Sequence, residues 1–288
     1  MHELSGSGTL GRLLFNVKDM ESNNSNALTL PVAIVIAGAL IGGAVLIANN
    51  GGGTTTEEKP AAQQIKPQTT SDVTIAPISG DDWILGSPEA PITIVEYSDT
   101  ECPFCKNFHT TMQSVIDSYG KNGEVSWVYR HFPLTQLHPR APKEGEALEC
   151  AGELGGNKGF WDYTNRLYEI TPANNGLDPA RLPEIAGDVG LDKDAFATCL
   201  SSSKYADTVQ SEYDDATRGG GRGTPFSVFV SKDGFSDSGV AYIEKLNNDF
   251  IAQGQGQVFV ISNDRKRISM SGALPLGIVS QIIDALLD

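Results

Sequence analysis

Cysteine is scarce. Four residues in a chain of 288 are too few for a disulfide scaffold to replace a hydrophobic core, and a chain of this length can build one or two domains without it. Histidine is equally sparse, and His109, His131 and His138 lack the paired spacing of a zinc site, so structural roles are expected for them. Basic residues are in deficit: 21 Lys+Arg face 36 Asp+Glu, a formal net charge of −15 at pH 7. Such a surface repels phosphate backbones and anionic headgroups, which excludes binding to nucleic acid, or to a membrane surface, through a basic patch. The sequence shows no internal repeat, and no heptad precedes residue 81 that would supply a dimer interface.

Long apolar runs are missing too, with one exception. Residues 30–48 (LPVAIVIAGALIGGAVLIA) form a stretch of 19 residues without a charge, about what a bilayer core requires. We expect an uncleaved single-pass anchor over residues 28–49. The alternatives are a buried core helix and a cleaved signal peptide, whose small-x-small site, Ala37 to Ala39, would fall inside the apolar run rather than after it. Arg12 and Lys18 before the span nearly balance Lys59 and Lys66 after it, so charge alone does not orient it. Residues 50–80, rich in Gly, Thr, Gln and Pro, read as a flexible linker with a mean reach of roughly 30 Å. This leaves residues 1–27 as a short cytoplasmic segment and residues 81–288 as the folded domain, which carries nearly all of the acidic excess.

Within that domain, residues 92–98 (ITIVEYS) read as a buried strand. Asp99-Thr-Glu-Cys102-Pro-Phe-Cys105 follows, and then Phe108, Met112, Val115, Ile116 and Tyr119 recur at helical steps up to Gly120. Cys102 is therefore placed as the N-cap of a helix with Pro103 at its first position. The unpaired amides and dipole there stabilise an anion, so the Cys102 thiol should ionise below its free value. Cys105, one turn along, should be the buried resolving thiol. Half of a zinc site and a purely structural bridge are the competing readings, but the remaining Cys and His show no second paired spacing, and no metal or other cofactor is expected. Glu96 precedes Cys102 on the strand. Buried, it would have a raised pKa suited to relaying a proton to or from Cys105; facing solvent on an edge strand, it would do nothing. Thr224-Pro225 leads into the apolar run FSVFV, where an X-Pro bond makes a cis peptide accessible.

These residues resemble the thioredoxin superfamily, specifically the DsbA-like thiol-disulfide oxidoreductases. The likeness runs from about residue 81 to 288, through residues 84–109 (ILGSPEAPITIVEYSDTECPFCKNFH), YRHFPL at 129–134, ALECAGE at 147–153, GFWDYTNRLYE at 159–169 and GTPFSVFV at 223–230. It implies an α/β thioredoxin-like central sheet flanked by helices, with an inserted helical subdomain. By the same resemblance Cys102 is the attacking cysteine, Cys105 resolves, Pro225 is the cis-proline beside them and Glu96 the buried acid beneath. Thr224, Pro103 and Phe104 are then the candidate substrate-binding residues, Thr224 offering its backbone to an extended chain. Phe104 departs from the strongest oxidants, where a histidine would add to thiolate stabilisation, so an intermediate oxidant is expected.

Apolar residues recur at helical steps through residues 135–219, where the resemblance places its insert, and Asp178 and Asp192 are good helix starts. Cys150 and Cys199 both fall there; in an oxidising compartment a disulfide between them is expected, two independent core thiols being the alternative. A further insert, residues 231–255, holds a short helix near 241–248 and has no assigned role. The Gly-rich run GGGRG at 219–223 precedes a strand rather than a helix, so it is no phosphate cradle. The expected protein is an anchored oxidoreductase on the outer face of the cell membrane, exchanging disulfides with cysteine-containing extracytoplasmic proteins and recharged by a quinone-linked membrane partner. A reductase or isomerase of the same fold, and a non-catalytic binding module, remain as alternatives.

Overall fold

The computed structural model describes residues 72–288. The expected anchor at 28–49 lies outside them; among the described residues no helix is long and apolar enough to cross a membrane. The elements are β1 (Trp83–Leu85), β2 (Ile92–Ser98), α1 (Pro103–Val115), β3 (Val125–His131), α2 (Ala141–Ile170), α3 (Leu182–Asp188), α4 (Lys193–Ser202), α5 (Ala206–Arg218), β4 (Phe226–Val230), α6 (Asp237–Ala252), β5 (Phe259–Ile261), β6 (Arg267–Ser271) and α7 (Leu276–Leu287). They build a thioredoxin-like mixed sheet in the order β1-β3-β2-β4-β6-β5.

The β-branched and aromatic run of β2 makes it the central strand. It pairs in parallel with β3, setting Glu96 beside Tyr129, and antiparallel with β4, setting Glu96 beside Ser227. Alternation then sorts its side chains. Val95 and Tyr97 enter a core with Val128, Phe132, Ala216, Phe226 and Val228, while Ile94, Glu96 and Ser98 point to the other face of the sheet.

The expected linker ends earlier than residue 80. Val73 and Ile75 are buried in that same core, and Arg130 of β3 fastens the strap behind them. Its guanidinium donates to the Ala76 and Pro77 carbonyls at 3.1 and 3.2 Å and to both carboxyl oxygens of Asp82 at 2.8 and 3.0 Å. The same group reaches Asp215 of α5 at 3.0 Å. A strap whose apolar residues alternate and whose carbonyls meet a buried guanidinium packs as part of the domain, despite a linker-like composition.

The insert at 135–219 is helical as expected, spanning α2 to α5. Helix α2 is two segments meeting at Gly156, whose φ of 63° is a backbone conformation that glycine adopts without strain. Leu154, beside this kink, is exposed rather than packed as its helical spacing suggests. Asp178 and Asp192 cap their helices through backbone N–H groups at 2.9–3.0 Å. Cys150 on α2 and Cys199 on α4 form a disulfide with Cα atoms 5.8 Å apart and a sequence separation of 49. Closing a loop of that size restricts the unfolded chain, and the chain-entropy relation gives about 4 kcal/mol. The double variant Cys150→Ala, Cys199→Ala should lower the unfolding free energy by about 3–4 kcal/mol in urea titration; a loss below about 1 kcal/mol would mean that the bridge does not hold the insert together. Helix α6, longer than expected, packs on α7 and β5.

Candidate active site

Cys102 sits where β2 gives way to α1. Its φ of −81° and ψ of 122° are extended, so it is the N-cap, and its thiol rather than a capping hydroxyl stands at the open helix end. Pro103 fills the first helical position and has no N–H, so the free amides nearest the sulfur are those of Phe104 and Cys105. Both cysteines are free and buried. The Cys102 thiol lies 3.6 Å from the carbonyl oxygen of Thr224, and the Thr224-Pro225 peptide is cis. The structure thus brings Cys102, Cys105, Thr224 and Pro225 to one place from segments more than a hundred residues apart.

The two thiols are set in opposite directions. Cys102 is lowered to about 6: a hydrogen bond from the Cys105 thiol does most, Thr224 and the amides of Cys105 and Phe104 add to it, and partial burial opposes them. The helix amides named in the sequence analysis therefore contribute, but less than the partner thiol. Cys105 is pushed well up, first by burial, then by its bond to Cys102 and by the charge of Glu96. Its sulfur accepts the Asp99 N–H at 3.4 Å.

Glu96 is fully buried on β2, not on an edge strand, and neither carboxyl oxygen has a hydrogen-bond partner. Burial raises it to about 8; Ser98 and Trp127, which approach it, offset this only partly. A carboxyl that is protonated at neutral pH and close enough to influence Cys105 can supply or take the proton that thiol needs. Around it the hydroxyls of Tyr129, Tyr168 and Ser98 form a buried chain, with Tyr168 3.1 Å from Tyr129 and 3.0 Å from Ser98.

The three histidines of the domain are each buried and hydrogen-bonded within it. His109 bonds to Asn165 at 2.8 Å, His131 to Glu149 at 2.9 Å and His138 to Asp99 at 2.9 Å. Trp161 is core. Phe104 is 46% exposed beside Cys102, consistent with a surface residue of the site.

Sequence reasoning missed the acids of the turn itself. Asp99 accepts N–H groups of Glu101 and Leu134, each at 2.8 Å, as well as His138, and so ties the turn before Cys102 to the segment that leads into α2. Glu101 and, on α2, Glu144 are buried next to it. The available signal was two carboxylates within three residues of a cysteine at a strand end, a poor position for acids unless they are partnered.

A family model described as Thioredoxin matches residues 79–240. Among solved structures, DsbA2 of Pseudomonas aeruginosa is similar with a TM-score of 0.53 and 23% identity, over 73% of this chain and 96% of that one. Alpha-DsbA1 of Wolbachia pipientis is similar with a TM-score of 0.56 and 21% identity, over 76% and 96%. The fold is thus that of the DsbA thiol-disulfide oxidoreductases. Among curated relatives, the Na(+)/H(+) antiporters NhaA 1 of Salinispora arenicola and NhaA 3 of Salinispora tropica are 33% and 34% identical over 159 residues, 54% of this chain. The match spans only 23% of the length of either antiporter.

Proposed function

Because the chain belongs to the thioredoxin family, we propose that it is an extracytoplasmic thiol-disulfide oxidoreductase that donates disulfides to cysteine-containing proteins through Cys102 and Cys105. The observation that carries this reading is the opposed setting of the two thiols, Cys102 lowered to about 6 and Cys105 raised, at a helix N-terminus against the cis Thr224-Pro225 peptide. A structural bridge has no use for that asymmetry, whereas an exchange centre needs one sulfur that attacks and leaves easily and one that does not.

In the donating direction a substrate thiolate attacks the Cys102 sulfur of the oxidised pair. The Cys102-Cys105 bond breaks and Cys105 leaves, taking a proton that Glu96 can supply. A second substrate thiolate then attacks the substrate sulfur of the mixed disulfide and expels Cys102 as its thiolate. The substrate is oxidised by two electrons and the centre is left as the dithiol. Thr224 would present its backbone to an extended substrate as an added strand, and Pro103 and Phe104 would line the approach.

The apolar stretch at 28–49 would tether the domain at the cell membrane with its site outside the cytoplasm, since a disulfide donor is useless in a reducing compartment. A quinone-linked membrane protein would reoxidise the dithiol. The matched quarter of the NhaA antiporters supports such a domain in membrane proteins, and ion exchange by this chain is not part of the proposal.

Equilibration of the protein with glutathione tests the direction. Reference couples run from about −270 mV for thioredoxin to about −120 mV for DsbA. A potential above about −180 mV is expected; a value near about −270 mV would overturn donation and leave a reductase, which needs an electron supply instead of an acceptor.

A further inference from the structure

The exchange chemistry above leaves one buried arrangement unused. Glu101, immediately before Cys102, is bound on two sides. Its backbone carbonyl accepts the Asn174 N–H at 2.7 Å, and its carboxyl oxygen Oε2 accepts the Asn175 N–H. Its other oxygen, Oε1, is buried without a donor, and so is Oε2 of Glu144 in the first turn of α2. Two neighbouring carboxyls, each with an orphaned oxygen in the same dry place, are satisfied together when one carries a proton and gives it to the other. Glu101 already accepts an N–H, so the proton belongs on Glu144. Glu144 is accordingly raised to about 9, by burial first and by its bond to Glu101 second.

The segment that Glu101 grips is strained. Ala173, Asn174 and Asn175 have φ of 61°, 52° and 62°, three successive non-glycine residues in the left-handed region, where an L-residue loses about 1–2 kcal/mol. Such a turn persists only when its surroundings hold it. Lys106 of α1 donates to the Thr171 carbonyl at 2.6 Å, and Arg140 donates to the Asn175 and Leu177 carbonyls at 2.7 and 2.6 Å. Asn175 donates to the Leu137 carbonyl at 2.9 Å. Glu101 is the member of this clamp that directly precedes Cys102 in the chain. The other charged or titratable groups at the pair are Asp99 on the turn, His138 bonded to it, and Tyr163 on the second half of α2.

We propose that Glu101 is a positioning residue for Cys102, and that Glu101 and Glu144 share one proton, so that the Cys102 thiolate is coupled to the protonation of this pair and to the docking of the strained 173–175 turn. The inference rests on reading Cys102 as the exchange nucleophile. With the proton in place the pair carries one negative charge. Losing it gives the pair, whose Glu101 directly precedes Cys102, a second negative charge, which disfavours the thiolate and shifts the glutathione equilibrium toward the oxidised, disulfide form of the centre. The effect should appear above pH 8 and be absent near pH 6.

The test compares the full chain with its Glu144→Gln and Glu101→Gln variants, following the glutathione equilibrium constant and the Cys102 carbon-13 Cβ shift from pH 5 to 9.5. Gln at 144 keeps a donor for Glu101 Oε1 but has no proton to lose. The equilibrium curves of wild type and Glu144→Gln should coincide near pH 6 and part above pH 8 by roughly threefold or more. Gln at 101 removes the neighbouring charge, and the Cys102 titration should move down by about half a unit or more. A purely structural role for both carboxyls would leave the Cys102 titration where it is. Curves that superpose over the whole range, with an unmoved titration in Glu101→Gln, would overturn the proposal; Glu101→Gln keeps the test decisive if Glu144→Gln does not fold. The carbon-13 titration needs no disulfide exchange, so a chain whose Cys102 titrates as expected yet exchanges no disulfides with protein substrates would support the coupling while sinking the proposed function.

Discussion

Replacing Cys102 by serine should abolish disulfide exchange, lowering it by at least about a thousandfold, to the rate of the uncatalysed glutathione background. A serine hydroxyl does not ionise near neutral pH, so the hydrogen bond from Cys105, the Thr224 contact and the Phe104 and Cys105 amides would surround a group that cannot become the anion they stabilise. The paired variant separates the roles. Cys105→Ser keeps the attacking thiolate but loses the group that resolves the mixed disulfide, so a disulfide substrate should remain covalently attached at Cys102. Mass spectrometry of the non-reduced product reads that adduct directly. The Cys105 thiol is also the largest single cause of the low Cys102 value, so in Cys105→Ser half-maximal alkylation of Cys102 should move upward from pH about 6 unless the serine hydroxyl replaces the bond. Unchanged exchange in Cys102→Ser would show that the activity does not run through Cys102, whereas a parent that exchanges no faster than the background would leave a binding module whose cysteines are incidental.

What the sequence disclosed follows from the range of the interactions involved. The nucleophile, its helix and the strand before it are contiguous, and their signals are local: a β-branched run, a proline at the first helical position, apolar residues at helical steps. Pro225 lies far along the chain, yet an X-Pro at the head of an apolar strand marks itself. The Cys150–Cys199 bridge needed only two cysteines on amphipathic segments of one insert. The features that stayed hidden are those in which a residue's environment comes from elsewhere. Val73 and Ile75 are two apolar residues in a polar stretch until Arg130 and Asp215, from β3 and α5, gather the strap. Strand β1 is three residues long, below the length at which alternation says anything. Glu101 and Glu144 lie on a turn and a helix that meet only after the insert folds back, and nothing in either local pattern names the other. The left-handed run at 173–175 is equally silent, because two asparagines read as an ordinary loop.

Glu96→Gln should separate stability from catalysis at a single position. Folded, this carboxyl is raised to about 8 from an ordinary value of 4.5; its contribution to stability is therefore fully present below about pH 4.5 and is lost progressively as pH rises toward 8. At pH 7 the unfolded chain holds the group ionised while the folded protein holds it protonated, a penalty of about 3 kcal/mol at about 1.4 kcal/mol per unit. Glutamine has nearly the same shape and no charge to bury. The variant should thus be more stable than the parent by about 1–3 kcal/mol at pH 7, the lower part of that range allowing for an amide whose hydrogen bonds are incomplete, and equal to it near pH 4. Catalysis should move the other way. With no acid to pass a proton to or from Cys105, the step that makes or breaks the Cys102-Cys105 bond should slow by roughly tenfold or more, and its pH dependence through about 8 should flatten. Urea titration at the two pH values and single-turnover exchange across pH 6–9 supply both halves. A variant that gains stability but exchanges at the parental rate would make Glu96 a buried burden with no part in proton transfer. One that loses both would mean that the carboxyl is held by hydrogen bonds stronger than its orphaned oxygens indicate. Only stability gained together with resolution lost fits an acid kept protonated beneath Cys105 for the chemistry it performs there.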